Sequence, residues 1–283
     1  MLSLDTLKEL PLLYDYRRHR YRNRFLNEEF GTFWGVFDSF NSALSSVPKE
    51  IASSYQDESL VDFHLDQFMQ LLPFDWPVLY FLSDLISKGS ARSMIDFGGH
   101  VGVKYYAYQK LLALPDDFHW RVVDLAPMVA EGRRRCADFK PRHLTFYDDV
   151  ALAPASDILF CSGVLQFCPF TVDAIIQQCV SRPRYVIINK IPFSQDGAFV
   201  TLENFNKVKV AYQVFDRHRH DADREKLGYE LLWRWRIPHR DFEIPYSKPR
   251  RNVKMFGEIW AASPDMGERA HEANIPTVDA KRR

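Results

Sequence analysis

The chain has 283 residues, 46% of them hydrophobic and 26% charged, the make-up of a globular protein with enough apolar side chains for a sizeable core. Lys and Arg number 37, as do Asp and Glu, so no net field draws in nucleic acid or an anionic membrane. No apolar run reaches the roughly 18 residues of a membrane span, and the opening "MLSLDTLKELPLLYDYRRHRYRNRF" lacks a signal-peptide core.

Residues 1–88 read as an aromatic-rich helical extension. "FGTFWGVFDSFNSAL" and "DFHLDQFMQLLPFDWPVLYFLSDLIS" carry apolar residues at helical spacing. Trp34 and Phe37 are expected to pack there, in a position to roof a substrate site. From about residue 91 short apolar runs alternate with amphipathic stretches. "SMIDFGG" leads to a helix over 101–114, "HWRVVDL" to one over 127–139, then come "LTFYDD", "DILFCSG", a helix over 171–180 and "YVIINKI". This rhythm predicts an α/β domain over 89–263 with a mostly parallel sheet. "YELLWRWRI" and "KMFGEIWAA" have no helix between them and predict a closing antiparallel hairpin. The polar tail, 264–283, is expected to be disordered. Cys136, Cys161, Cys168 and Cys179 show no C-x-x-C spacing, which predicts reduced, mostly buried thiols and a cytoplasmic protein.

In open α/β sheets ligands bind beyond the carboxyl ends of the strands. Those ends are polar here: Asp96 and Phe97 before Gly98, Gly99 and Gly102; Asp124 and Leu125; Asp148 and Asp149; Ser162, Gly163 and Gln166; Asn189 and Lys190. The glycines let a ligand approach the main chain, and the following helix offers free N–H groups. A carboxylate at Asp124 can accept both hydroxyls of a ribose. The turn reads G-G-x-x-G rather than the dinucleotide G-x-G-x-x-G. Asp96 would repel a pyrophosphate and suits a ligand with an ammonium group, such as the methionine part of S-adenosylmethionine. The closing hairpin is also the usual ending of the methyltransferase sheet.

"MIDFGGHVGVKYYAYQ", "WRVVDLAPMVAEGRR", "DILFCSGVLQF", "YVIINKIPF" and "KLGYELLWRW" together resemble a family of bacterial S-adenosylmethionine-dependent methyltransferases. The resemblance runs over about residues 30–262. It implies a class I Rossmann-like domain joined to a helical N-terminal segment, and some members are linked to surface-glycan biosynthesis. It places Asp96, Gly98, Gly99 and Gly102 at the methionine end, Asp124 at the ribose, Asp148 or Asp149 near the adenine, and Ser162 near the sulfonium. His100 departs from the common glycine.

The expected reaction is methyl transfer to a small polar acceptor, foremost a hydroxyl of a sugar or glycan precursor. His100 and Lys190 are the candidate bases. Tyr106, Gln166 and Asn189 are candidate pocket residues. "HRHD" invites a metal reading, but His218 and His220 would not share a helical face, and no metal is expected. Two alternatives stand beside this reading: a nicotinamide-dependent oxidoreductase, and a non-catalytic scaffold that keeps the fold.

Overall fold

The fold comes from a computed structural model that describes residues 11–27, 31–53, 69–205 and 208–263. The expected disordered tail and the first part of the predicted helix, 62–68, lie outside the described residues.

Five strands run parallel: β3 (Ser93–Phe97), β4 (His119–Val123), β5 (Leu144–Tyr147), β6 (Ile158–Ser162) and β7 (Tyr185–Ser194), in the order β5-β4-β3-β6-β7. β3 and β6 are apolar and buried nearly throughout, as strands covered on both faces must be. The helices between the strands are α4 (Val103–Tyr108), α5 (Ala126–Phe139) and α6 (Val172–Gln178), with α3 (Trp76–Ser87) before β3. Trp120, Tyr105, Tyr108 and Phe160 pack on one side of the sheet, and Ile95, Leu159, Ile188 and Trp260 on the other.

The sheet closes with β10 (Tyr229–Arg236) and β12 (Arg251–Ala262), antiparallel to each other as the sequence predicts. β12 enters between β10 and β7 and is antiparallel to both. The order β5-β4-β3-β6-β7-β12-β10, with β12 alone reversed, is the class I methyltransferase form of the Rossmann-like α/β sheet.

Between β7 and β10 the chain inserts β8 (Phe199–Phe205), β9 (Val208–Asp216) and α7 (Arg217–Lys226). β9 pairs with the outer end of β7, Phe193 opposite Phe215, where β7 has outrun its neighbour β6. The short β11 (Phe242–Ile244) pairs with β12.

The N-terminal part departs from the helical reading. α1 (Pro11–Asn27) and α2 (Phe40–Leu44, capped by Ser39) are helices, but "FWGVF" is a strand, β1 (Phe33–Phe37), antiparallel to β8. Its aromatic and β-branched side chains suit a pleated surface, and Gly35 takes φ 80° where a Cβ would lie 2.4 Å from the Phe37 ring. Pairing with a strand some 165 residues away (202 − 34 = 168 for Trp34 opposite Leu202) is invisible to a local periodicity. β2 (Ala52–Ser53) adds to β9. The helix expected over 101–114 is also shorter, since α4 ends at Tyr108.

Among the described residues no helix is long and apolar enough to cross a membrane. The four cysteines are free, with Cys161 and Cys168 buried.

Candidate functional site

A cavity of about 360 Å³ lies over the carboxyl ends of β3, β4, β6 and β7. Asp96, Gly98, Gly99, His100 and Asp124 line one part of it, with Ser162, Gly163, Gln166 and Lys190 alongside. Thus nine residues that end separate runs in the sequence share one wall system.

The turn after β3 is built around two carboxylates. Asp96 is buried, and its Oδ2 accepts the indole N–H of Trp120 at 3.0 Å. Its Oδ1 is buried without a hydrogen-bond partner. Burial pushes the Asp96 carboxyl up to about 7, Trp120 opposing the shift. Gly99 is required beside it, because a Cβ there would lie 2.6 Å from Asp96 Cγ. Gly98 has φ 70° and faces Val164, whose Cγ2 would be 2.2 Å from an added Cβ.

Asp124 holds the turn from the next strand. Its Oδ2 accepts the main-chain N–H of His100 and its Oδ1 that of Leu125, both at 2.7 Å. Burial raises its pKa to about 6 against these two hydrogen bonds. His100 stands where a glycine is common and keeps the glycine-like backbone, φ 56°. Its ring is buried and lines the cavity.

Lys190 is displayed by a defect in β7. Asn189 pairs with Gly257 and Ile191 with Phe256, so Lys190 is the extra residue of a β-bulge, with φ 65°. A bulge re-aims a side chain, and left-handed backbone at a non-glycine residue is strain characteristic of functional sites. The amine reaches over Gly163, where an added Cβ would meet Nζ at 2.6 Å. Burial lowers the Lys190 pKa to about 7, helped by Lys104 and opposed by Asp75.

The other predicted residues fall outside this wall. Asp149 accepts the N–H of Ala151 at 2.9 Å and caps a short 3-10 turn, Val150–Leu152; neither it nor Asp148 lines the cavity. Phe97 packs edge-on against Phe170, and Gly102 sits at the start of α4 against Leu144. Tyr106 packs on Tyr105. Asn189 lies beneath the floor and donates to Asp75 Oδ1 at 3.3 Å.

Sequence reasoning missed half of the cavity. Asp75, fully buried, accepts from Lys104 at 2.8 Å and from Tyr108 at 2.6 Å. Lys104, Lys190 and Arg240 all lie within 5.1–5.6 Å of the centre of the Phe74 ring. Opposite them stands Glu203 of β8, its carboxyl raised to about 8 by burial against the pull of Arg240 and Lys190. Tyr212 of β9, Phe33 of β1 and Phe242 of β11 complete this aromatic half. The signal was present in the alternation of "FVTLENF" and "VKVAYQVFD", which reads as two strands.

The "HRHD" residues sit elsewhere. His220 Nε2 lies 3.0 Å from Glu258 Oε2, which also accepts from Trp260, and His218 is exposed. Among the described residues no group of three His, Cys, Asp or Glu side chains is placed to hold a metal ion.

No protein-family model matches the chain, and no curated protein does. Solved structures do. OxaC shares the fold with a TM-score of 0.50 and 15% identity over 74% of this chain. The match spans 53% of OxaC, about half of that protein. Two further structures match with TM-scores of 0.41 and 0.46. They are magnesium protoporphyrin IX methyltransferase from Synechocystis PCC 6803 with bound S-adenosylhomocysteine, 13% identical over 71% of this chain and 83% of that one, and the glycopeptide N-methyltransferase MtfA with the same ligand, 9% identical over 66% and 90%. At 15% identity the likeness to OxaC is one of fold.

Proposed function

We propose that the protein is an S-adenosylmethionine-dependent methyltransferase acting on a small polar acceptor, a hydroxyl of a sugar or glycan precursor. The observation that carries the cofactor is the buried, unpartnered Oδ1 of Asp96 on the cavity wall. Such an oxygen costs about 1–3 kcal/mol unless something donates to it, and the ammonium of a methionine moiety is a fitting donor. A pyrophosphate would instead bring like charge to it. Gly98 and Gly99 leave room for the ligand's backbone approach, and the remaining lone pairs of Asp124 suit the ribose hydroxyls. The shared fold of OxaC, which has been crystallised with S-adenosylhomocysteine, supports the same choice.

When bound, the cofactor supplies an electrophilic methyl carbon that an acceptor oxygen attacks as the carbon–sulfur bond breaks. The chain's task is to align that oxygen and to take its proton. Lys190 is the base in this reading: its amine is aimed by the bulge and is substantially neutral near pH 7. His100, tied through its N–H to Asp124, packs on the cofactor side. The division at residue 88 is part of the same proposal, with the N-terminal extension supplying Phe33 and Phe74 to the acceptor half. The sugar acceptor rests on the family resemblance, and free thiols fit a reducing compartment.

The test is transfer of a labelled methyl group from S-adenosylmethionine to a panel of sugars and sugar phosphates. Label appearing as a methyl ether supports the reading. Cofactor binding without transfer to any of them, or transfer to amines instead, overturns the hydroxyl acceptor.

A further inference from the structure

The zero net charge conceals one strongly segregated element. Helix α1, "PLLYDYRRHRYRNRFLN", carries five arginines (Arg17, Arg18, Arg20, Arg22, Arg24) and a single acid, Asp15. Its inner face is anchored: Phe25 is buried against Trp34, and Tyr21 stacks on Trp34. Arg17, Arg20 and Arg24 follow one another at spacings of three and four and form one stripe along a flank of the helix, about a quarter-turn from the anchored face, exposed throughout. Among the described residues Arg17 and Arg20 have no acidic partner. At the start of the helix two apolar side chains point outward in the same region, Tyr16 at 63% and Leu13 at 46% exposure. On the other flank of α1, Arg18 and Arg22 join Lys248 and Arg251 around a separate open cavity of about 900 Å³ that Asp15 also lines.

We propose that this face of α1 docks the protein on a membrane surface bearing anionic headgroups. Charge complementarity supplies the attraction, since each basic residue near an anionic leaflet adds to binding until salt screens it. Leu13 and Tyr16 supply the apolar contact, tyrosine being suited to the boundary between headgroups and water. A nucleic acid fits the same charges less well, because the rings of Tyr14, Tyr21 and Trp34 are taken up in packing and Tyr16 alone is a single open ring rather than a row on which successive bases stack. Arg18 lies 5.6 Å from the centre of the Trp34 ring and Lys248 4.0 Å from that of Tyr14. Tyr246 is packed between Tyr14 and Tyr21. The proposal concerns a surface apart from the cavity and does not depend on the reaction proposed above.

The test is co-sedimentation of the whole protein with vesicles of phosphatidylcholine alone and of phosphatidylcholine mixed with phosphatidylglycerol, at low and high salt. Three variants separate the explanations: the charge-reversed Arg17→Glu/Arg20→Glu/Arg24→Glu, the apolar Leu13→Ser/Tyr16→Ser, and a control Lys110→Glu/Arg142→Glu/Lys226→Glu with the same change in net charge. All three sets of positions are exposed apart from the acids they meet. The expected result is binding to the anionic vesicles alone, weakened by salt, lost at least tenfold in the first variant, reduced in the second and kept in the control. Indifference of the unaltered protein to phosphatidylglycerol at low salt overturns the proposal. So does an equal loss in the control, or tighter binding to single-stranded RNA than to the vesicles.

Discussion

Trp120 of β4, paired with Met94 and so set diagonally across from Asp96 of β3, defines the character of the site through that carboxylate. The indole N–H donates to Asp96 Oδ2 at 3.0 Å and leaves Oδ1 buried with no donor. An acid held this way is neutral or ionised depending on what arrives beside it, and its burial raises its pKa to about 7. The fold thus carries an unfavourable acid that a cationic ligand group would relieve.

Replacing Asp96 by Asn separates stability from binding. An acid whose folded pKa is raised favours the fold below its unfolded pKa, about 4, and loses that advantage as pH rises to about 7. Asn is free of this loss, so D96N should exceed the parent in stability at pH 8 by on the order of 4 kcal/mol and match it near pH 4. Denaturant unfolding at the two pH values checks this. Affinity for S-adenosylmethionine should fall in the same variant.

Asp124→Ala removes the acceptors of two short main-chain hydrogen bonds at once. Each such charge-assisted bond is worth roughly 1.5–3 kcal/mol, and the proposed ribose contacts go with them. S-adenosylhomocysteine should bind at least about tenfold more weakly, as measured by calorimetry; unchanged affinity would remove Asp124 from the ribose.

Gly99→Ala probes the close approach of the turn to Asp96. The new methyl would lie 2.6 Å from Asp96 Cγ and 3.0 Å from its carbonyl oxygen, so carboxyl and turn must part. Overpacking of this kind costs about 1–3 kcal/mol, and thermal unfolding together with cofactor titration should show both lower stability and lost binding.

Lys190→Met tests the amine on the bulge. A lysine whose folded pKa is lowered to about 7 penalises folding fully below that pH and ceases to do so as pH climbs to its unfolded value, about 10.4. The Met variant should therefore be the more stable at pH 7, with the gap closing toward pH 10. Its affinity for S-adenosylhomocysteine should stay at the parental level and its methyl transfer should be lost. Retained transfer would take the base role from Lys190.

What the sequence made legible followed from local contrast. Asp96, Gly98, Gly99, Asp124 and Lys190 each interrupt an apolar run, so strand ends and site were visible together. The aromatic half of the cavity was not, because its parts come from distant segments: Phe74 ahead of α3 with the buried Asp75 behind it, Glu203 and Tyr212 on the inserted strands, Arg240 in the loop after β10. Asp75 lies within an apolar stretch whose meaning depends on Lys104, 29 residues on. "FWGVF" looked helical because its strand partner lies far along the chain. Tertiary pairing decided both cases.

Calorimetric titration of the unaltered protein with S-adenosylmethionine, S-adenosylhomocysteine and NADH tests the central claim most directly. The account predicts micromolar binding of both sulfur nucleotides and none of NADH. Binding of NADH, or of none of the three, would contradict it.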